Sequence, residues 1–339
     1  MQTKSIVFVE KNRAELIEEP LKALGPKDVL VKLRYSTISA GTERANLTGD
    51  PNISPAKTDD TVTFPRRLGY SASGIVQEIG AEVTSVQPGD AVVVSWGKHT
   101  QYSIADEHNV HRIQADEKTL REGAMALIAT FPLGAIRKCH LEIGESALVM
   151  GQGVLGMMAV PLLRAAGAVP VIAVDPIASK RENALKLGAD AAFDPYDPEF
   201  VQQVRAIAPR GVNVAIEVTG IGKGLDQALD CMARMGRVAL LGCTRHSDFT
   251  IDYYRKVHGP GVQLYGAHTM ARPKVESSFG LWTDHDDIMA VMKLCAMGRL
   301  NLVDMIEETR SPEEATPVYH RLATEKSFPL VQFDWSLIR

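Results

Sequence analysis

Apolar residues come in short runs over the first third of the chain and then settle into an alternation of short and helical stretches. Runs of β-forming residues stand at 5–9, 28–36, 74–76, 91–94 and 100–104. Turn-forming groups separate them, including Gly25-Pro26 and Gln87-Pro88-Gly89-Asp90. From about residue 119 the apolar spacing becomes helical. From Ala147 the pattern predicts strands at Ala147–Met150, 169–174, Ala191–Phe193, 212–218, 237–242 and 262–266. Helices are expected between them at 179–187, 199–208 and 225–235. The tail carries an amphipathic helix at 286–298, another at 313–324 and a closing strand at 330–334. Strands alternating with helices predict a parallel sheet wound on both faces, so the chain reads as α/β with a β-rich module ahead of it.

The first unit of that alternation carries chemistry. The strand Ala147–Met150 leads into Gly151-Gln152-Gly153-Val154-Leu155-Gly156, and the second strand ends on Asp175. Gly151 permits the tight turn, and Gly153 lets backbone approach a pyrophosphate at a helix N-terminus. Gly156 permits close packing of helix on strand, and Asp175 accepts hydrogen bonds from a ribose diol. A carboxylate there repels a 2′-phosphate, which favours NAD over NADP. Lys180 lies close enough to soften that preference, whereas Arg181 reads as part of a solvated helix face.

Composition narrows the partners. Of 339 residues, 45% are hydrophobic and 23% charged, an ordinary balance for a globular protein. A formal net charge of -4 gives no electrostatic case for nucleic acid or an anionic membrane, leaving a small-molecule substrate. Cys139, Cys231, Cys243 and Cys295 are widely spaced with no CxxC pair, which suits a reducing compartment. Neither a signal-peptide core nor an apolar run of roughly 18 residues is present, so a cytoplasmic location is expected.

Gly89-Asp90, residues 97–102, the glycine fingerprint, Lys186-Leu187-Gly188-Ala189-Asp190 and Glu217-Val218-Thr219-Gly220 together resemble the medium-chain dehydrogenase/reductase family. The resemblance implies a GroES-like catalytic domain at 1–125, completed by 271–339, and a Rossmann domain at 126–270. It places cofactor contacts at Thr130, Gly151, Gly153, Val154, Leu155, Gly156, Asp175, Lys180, Thr219, Gly242, Cys243 and Ala267. It also implies a homodimer or homotetramer, with the edge strand near Tyr265 pairing between copies.

The same resemblance exposes a departure. Zinc-dependent members carry Cys-x-[Ser/Thr]-Asp, then Gly-His-Glu, then a further Cys or acid. The corresponding positions here read Ala40 (Ser39 being the other option), Gly69-Tyr70-Ser71 and the neighbourhood of Ala126. Zinc takes thiolate, imidazole or carboxylate, and these side chains are none of them. No cysteine precedes Cys139, so the structural zinc loop is missing too, and no bound metal is expected. The Ser-Ala-Gly-Thr-Glu run at 39–43 resembles a subgroup that includes polyol- and sugar-dehydrogenase-like proteins and bacteriochlorophyllide dehydrogenases.

Without a metal, side chains must handle the proton of the reacting alcohol. Tyr70 is the first candidate, against the reading that it fills the vacated metal position. A phenol ordinarily ionises near 10, so a basic role needs a cation beside it. Thr42 falls at the proton-relay position and Glu43 at that of a supporting acid, where an ion pair with Arg44 or Arg66 is the competing reading. His99 titrates in a useful range but also suits packing. His268 follows the last nucleotide-domain strand, and Ser39, Trp96 and Lys98 are candidates for substrate contact.

The leading expectation is an NAD-dependent oxidoreductase acting on a secondary alcohol or its ketone, with a polyol or sugar favoured. A metal-free quinone or enone reductase, a lyase using tightly held NAD, and a cofactor-binding protein without turnover are the alternatives.

Overall fold

The computed structural model describes residues 1–50, 63–247 and 249–338. It divides into two compact units, Met1–Ile128 with Ile288–Arg339, and Ala129–Asp287. Residues 271–287 therefore lie with the second unit, rather than with the first as the resemblance implied.

The spine of the first unit is the strand Asp28–Thr37. It pairs antiparallel with Ser71–Ile79, with Tyr102–Asp106 and with the C-terminal strand Val331–Asp334. Ala91–Ser95 and Val110–Ile113 extend the sheet on one side, and Glu308–Arg310 closes the other. Alternation along the spine turns Val29, Val31 and Leu33 into one core with Phe8, Leu47, Val92 and Phe333. Each such side chain contributes roughly 1.5–3 kcal/mol on burial. The helix Ala315–Thr324 adds Val318, Tyr319 and Leu322 to the same core.

The second unit is a parallel sheet in the order Ala191–Phe193, Val171–Val174, Ala147–Met150, Val212–Glu217, Met232–Leu240, Gln263–Gly266. Its register aligns the last residues of five strands in one row: Val174, Met150, Glu217, Leu240 and Gly266. The chain leaves every strand at the same edge, which is where ligands bind in open parallel sheets. The helix Val154–Ala165 is apolar nearly all round because it is buried, with Met158, Val160 and Leu163 inaccessible.

The helix expected at 225–235 instead spans Gly222–Asp230, and the chain re-enters the sheet at Met232. Cys231, Met232 and Ala233 are all buried, and a short apolar run satisfies either period. Among the described residues no helix is long and apolar enough to cross a membrane.

Candidate active site

In the second unit the candidate cofactor residues gather at the carboxyl edge of the sheet. Gly151 leaves its strand at φ 99°, and Gly153 is the N-cap of the helix Val154–Ala165. A Cβ on Gly156 would stand 1.9 Å from the carbonyl oxygen of Gly151, so only glycine allows this helix to approach. A Cβ on Gly153 would meet nothing within 4 Å, which leaves open space over the first turn. Val154 and Leu155 form that turn. The cradle fits a pyrophosphate held by a helix N-terminus.

Asp175 is buried at the tip of the next strand. One carboxylate oxygen accepts the N–H of Gln152 (2.8 Å) and the other that of Ile177 (2.9 Å). Each oxygen keeps a lone pair for a ribose hydroxyl. Arg181 is not a solvated side chain: it donates to the carbonyl of Asp175 (2.8 Å) and pairs with Asp194 (3.3 Å). Lys180 lies half-buried on the same helix, Ala178–Lys186.

Further along the edge, Glu217 accepts the backbone N–H and hydroxyl of Thr219 and the N–H of Gly220. Burial nevertheless holds its carboxyl above the usual range. The N–H of Gly242 is committed to the carbonyl of Glu217, Cys243 is exposed, and Ala267 is bonded to Leu240. Thr130 is fully buried, and its carbonyl accepts from Arg272 (3.1 Å). His268 is half-buried, with Nδ1 accepting the N–H of Met270 (3.1 Å). Burial, then the positive charges of Lys138 and Arg245, lowers its pKa and favours the neutral ring.

The first unit holds a second cluster. Ser39 is the N-cap of the helix Ala40–Thr48, yet its side chain makes no capping bond. The Tyr70 hydroxyl donates to it instead. An N-cap serine ordinarily contributes about 0.5–2 kcal/mol by capping, so this hydroxyl is diverted from a stabilising role. Such departures from local rules concentrate at functional sites. The Tyr70 ring packs on Trp96, with centroids 5.6 Å apart, and Trp96 sits at φ 57°, a strained backbone for an aromatic residue.

Gly69, at φ 109°, lets the chain pass close beneath His99, where a Cβ would collide with its backbone nitrogen at 2.3 Å. Ser71, the next residue after Tyr70, is wholly buried with a hydroxyl unpartnered among the described residues. Thr42 is half-buried in the first turn of the helix, and Lys98 is exposed.

Behind this pair lies a closed network. Glu43, 0% exposed, accepts from the backbone N–H of Ser39 (2.9 Å), the Tyr319 hydroxyl (2.5 Å) and His99 Nε2 (3.2 Å). His99 Nδ1 lies 2.7 Å from Ser36 Oγ, which also accepts from Trp335 Nε1 at 2.8 Å. Indole can only donate and carboxylate can only accept, so the network places a proton on His99 Nε2, facing Glu43. Both ring nitrogens are therefore engaged, and His99 is 1% exposed. The ion pair of Glu43 with Arg44 or Arg66 does not form: Arg44 donates to the carbonyl of Glu325 (2.8 Å). Tyr319 and Trp335 are invisible to sequence reasoning, lying 276 residues from Glu43 and 299 from Ser36 respectively.

A zinc site is not assembled from these residues. Ala126 is a fully buried methyl group in the helix Glu117–Lys138, and Ser39 and Tyr70 bond each other. Among the described residues no three His, Cys, Asp or Glu side chains are grouped to hold a metal. The donor chemistry does not suit the ion.

Residues 25–141 match the alcohol dehydrogenase GroES-like domain, and residues 154–281 match the zinc-binding dehydrogenase domain. The chain is 28% identical to the L-threonine 3-dehydrogenase of Pyrococcus horikoshii, over 86% of this chain and 87% of that protein. It is 23% identical to the D-guloside 3-dehydrogenase of Shigella flexneri, over 90% of this chain and 91% of that one. Among solved structures, benzyl alcohol dehydrogenase from Acinetobacter calcoaceticus superposes with a TM-score of 0.85 at 19% identity, covering 98% of this chain and 99% of that one.

Proposed function

This chain belongs to the medium-chain dehydrogenase/reductase family, and from that premise we propose an NAD-dependent oxidoreductase that interconverts a secondary alcohol and its ketone without zinc. The observation that carries the metal-free reading is the hydrogen bond between Tyr70 and Ser39. These residues stand at or next to two positions where zinc-dependent members place ligands, and ligand positions converge by necessity. A phenol and a serine hydroxyl converge here instead.

Bound nicotinamide supplies the hydride acceptor, or the donor in the reverse direction. Gly153 and the helix behind it would hold its pyrophosphate, and Asp175 its ribose. Tyr70 gives its proton to the carbonyl oxygen as an alcohol forms, and Ser39 holds the phenol in place. Thr42 offers a hydroxyl on the same helix turn. Glu43 and His99, buried and bonded to each other, act as positioning residues rather than as proton donors to substrate. A secondary alcohol is favoured because the threonine and guloside relatives are both named for oxidation at carbon 3. The guloside relative, the hydroxyls of Ser39, Thr42 and Tyr70 and the amphipathic ring of Trp96 favour a polyol or sugar. Strand Gln263–Gly266 ends the sheet and exposes Leu264, which supports a homodimer or homotetramer built on that edge.

The test is turnover and metal content together. Purified protein is expected to reduce NAD with a panel of polyols and sugars, and to keep its rate after dialysis against a chelator. A stoichiometric divalent ion whose removal abolishes turnover overturns the metal-free reading. Absence of turnover across the panel, with either cofactor, overturns the enzymatic one.

Asp175 supplies an independent check on cofactor choice. Asp175→Ser is expected to weaken NADH binding by about tenfold or more, through loss of charge-assisted hydrogen bonds. NADPH binding is expected to improve, since the repelling carboxylate is gone and Arg181 remains beside the site. Fluorescence titration of both reduced cofactors reads the change.

A further inference from the structure

Trp96 borders more than the Tyr70 ring. Besides packing on Tyr70, it lines a cavity of about 480 Å³ in the first unit, bounded by Glu19, Arg67, Lys98 and Asn109. That volume lies within the range that small ligands occupy. We propose that this cavity is a subsite for a neutral, polyhydroxylated group, namely the second ring of a glycoside whose first ring carries the alcohol oxidised beside Tyr70. The inference rests on the sugar-oxidising reading above and extends it from a single ring to a glycoside.

The chemistry of the lining carries the choice of ligand. Arg67 clamps Glu19 through two nitrogens, at 2.6 and 3.2 Å, and this bonding holds its carboxyl below the usual range. The carboxylate is thereby fixed in position while retaining lone pairs for ligand hydroxyls. Thr3 and Ser5 both bond Thr100 behind it, at 2.9 and 3.0 Å, and make a rigid polar floor. Lys98 and the Asn109 amide, by contrast, make no hydrogen bond among the described residues, so both have donors to offer. Carboxylates and cations are interleaved around the cavity: Glu19 and Asp106 against Lys22, Arg67 and Lys98. A near-balanced lining has little to gain from a strongly charged ligand and much from a neutral one that both donates and accepts. The indole supplies the apolar face against which the C–H side of a pyranose ring packs. Trp96 is common to both places: its ring packs on that of Tyr70, its backbone N–H donates to the backbone carbonyl of Tyr70 at 2.8 Å, and it lines the cavity.

The experiment compares cellobiose with methyl β-D-glucopyranoside as substrates, and measures cellobiose binding by saturation-transfer NMR on the full chain without turnover. Wild-type protein is expected to favour cellobiose at least tenfold in kcat/KM. Asn109→Ala and Glu19→Gln are each expected to cut that preference about tenfold and to weaken cellobiose binding, with melting curves confirming that the variants fold. Equal kcat/KM for the two sugars, or a preference for glucose 1-phosphate over cellobiose, overturns the proposal. Should neither sugar be oxidised, the underlying activity fails while the cavity is still judged. Cellobiose binding that Asn109→Ala weakens supports the subsite, and binding that is absent or unaffected by the substitution removes it.

Discussion

Replacing Tyr70 by Phe is expected to lower kcat for ketone reduction by about 10²- to 10⁴-fold, the range that positioned proton donors supply. The substitution keeps the ring that packs on Trp96 and removes only the hydroxyl bonded to Ser39. The fold should therefore survive. Ser39, released from the phenol, stands at the N-cap of the helix Ala40–Thr48, where its hydroxyl gains the ordinary capping role. Melting temperature is accordingly expected to hold or rise slightly while the rate collapses, and KM for the nicotinamide cofactor should change little. Ser39→Ala leaves the phenol present but less well held, so a smaller loss of rate is expected, with no cost to helix capping because the wild-type hydroxyl makes no capping bond. The pair of variants separates chemistry from packing. If the Tyr70→Phe protein retains its rate, Tyr70 merely occupies a vacated ligand position and the acid–base assignment fails.

The cofactor cradle is legible in the sequence because its constraints are steric and local. Gly156 cannot be anything larger with a backbone carbonyl 1.9 Å from where its Cβ would be, and that contact is made within six residues. Parallel strands likewise betray themselves by alternating with helices, and the row from Val174 to Gly266 follows from the topology. The network behind Tyr70 is different in kind. Glu43, His99, Tyr319, Ser36 and Trp335 come from four separate elements and a loop, and no spacing rule links them. A reading confined to neighbours offers Glu43 the arginines at 44 and 66, when its partners are an imidazole, a phenol and a backbone N–H. Arg181 misleads for a related reason, since the carbonyl it reaches at Asp175 lies back across the strand–helix turn. The pattern sets the helix Gly222–Asp230 too far along because buried apolar residues at 231–233 carry no period of their own.

Glu43 is where the largest loss of stability is expected. Glu43→Ala leaves the Tyr319 hydroxyl, the Ser39 N–H and His99 Nε2 buried without their acceptor, and removing one member of a buried charged network costs about 3–5 kcal/mol. Urea unfolding should show that loss. The rate should fall with it, because the Ser39 backbone that Glu43 anchors also carries the hydroxyl bonded to Tyr70. Tyr319→Phe separates the two effects: it removes one donor and leaves the carboxylate its two others, at an expected cost of about 1.5–3 kcal/mol. The same variant gives a pH signature. Burial, then the charge of Glu43 and the hydrogen bond to it, raises the Tyr319 phenol well above its ordinary value. An unfolded chain releases that proton near 10 and the folded one holds it, so the folded state binds more protons in this range. Stability from this contact is complete below about pH 10 and is lost as pH rises toward the folded value. Wild-type protein should therefore lose more stability between about pH 9 and 11 than Tyr319→Phe does. Parallel curves for the two proteins would show that folding does not raise the Tyr319 phenol above its ordinary value.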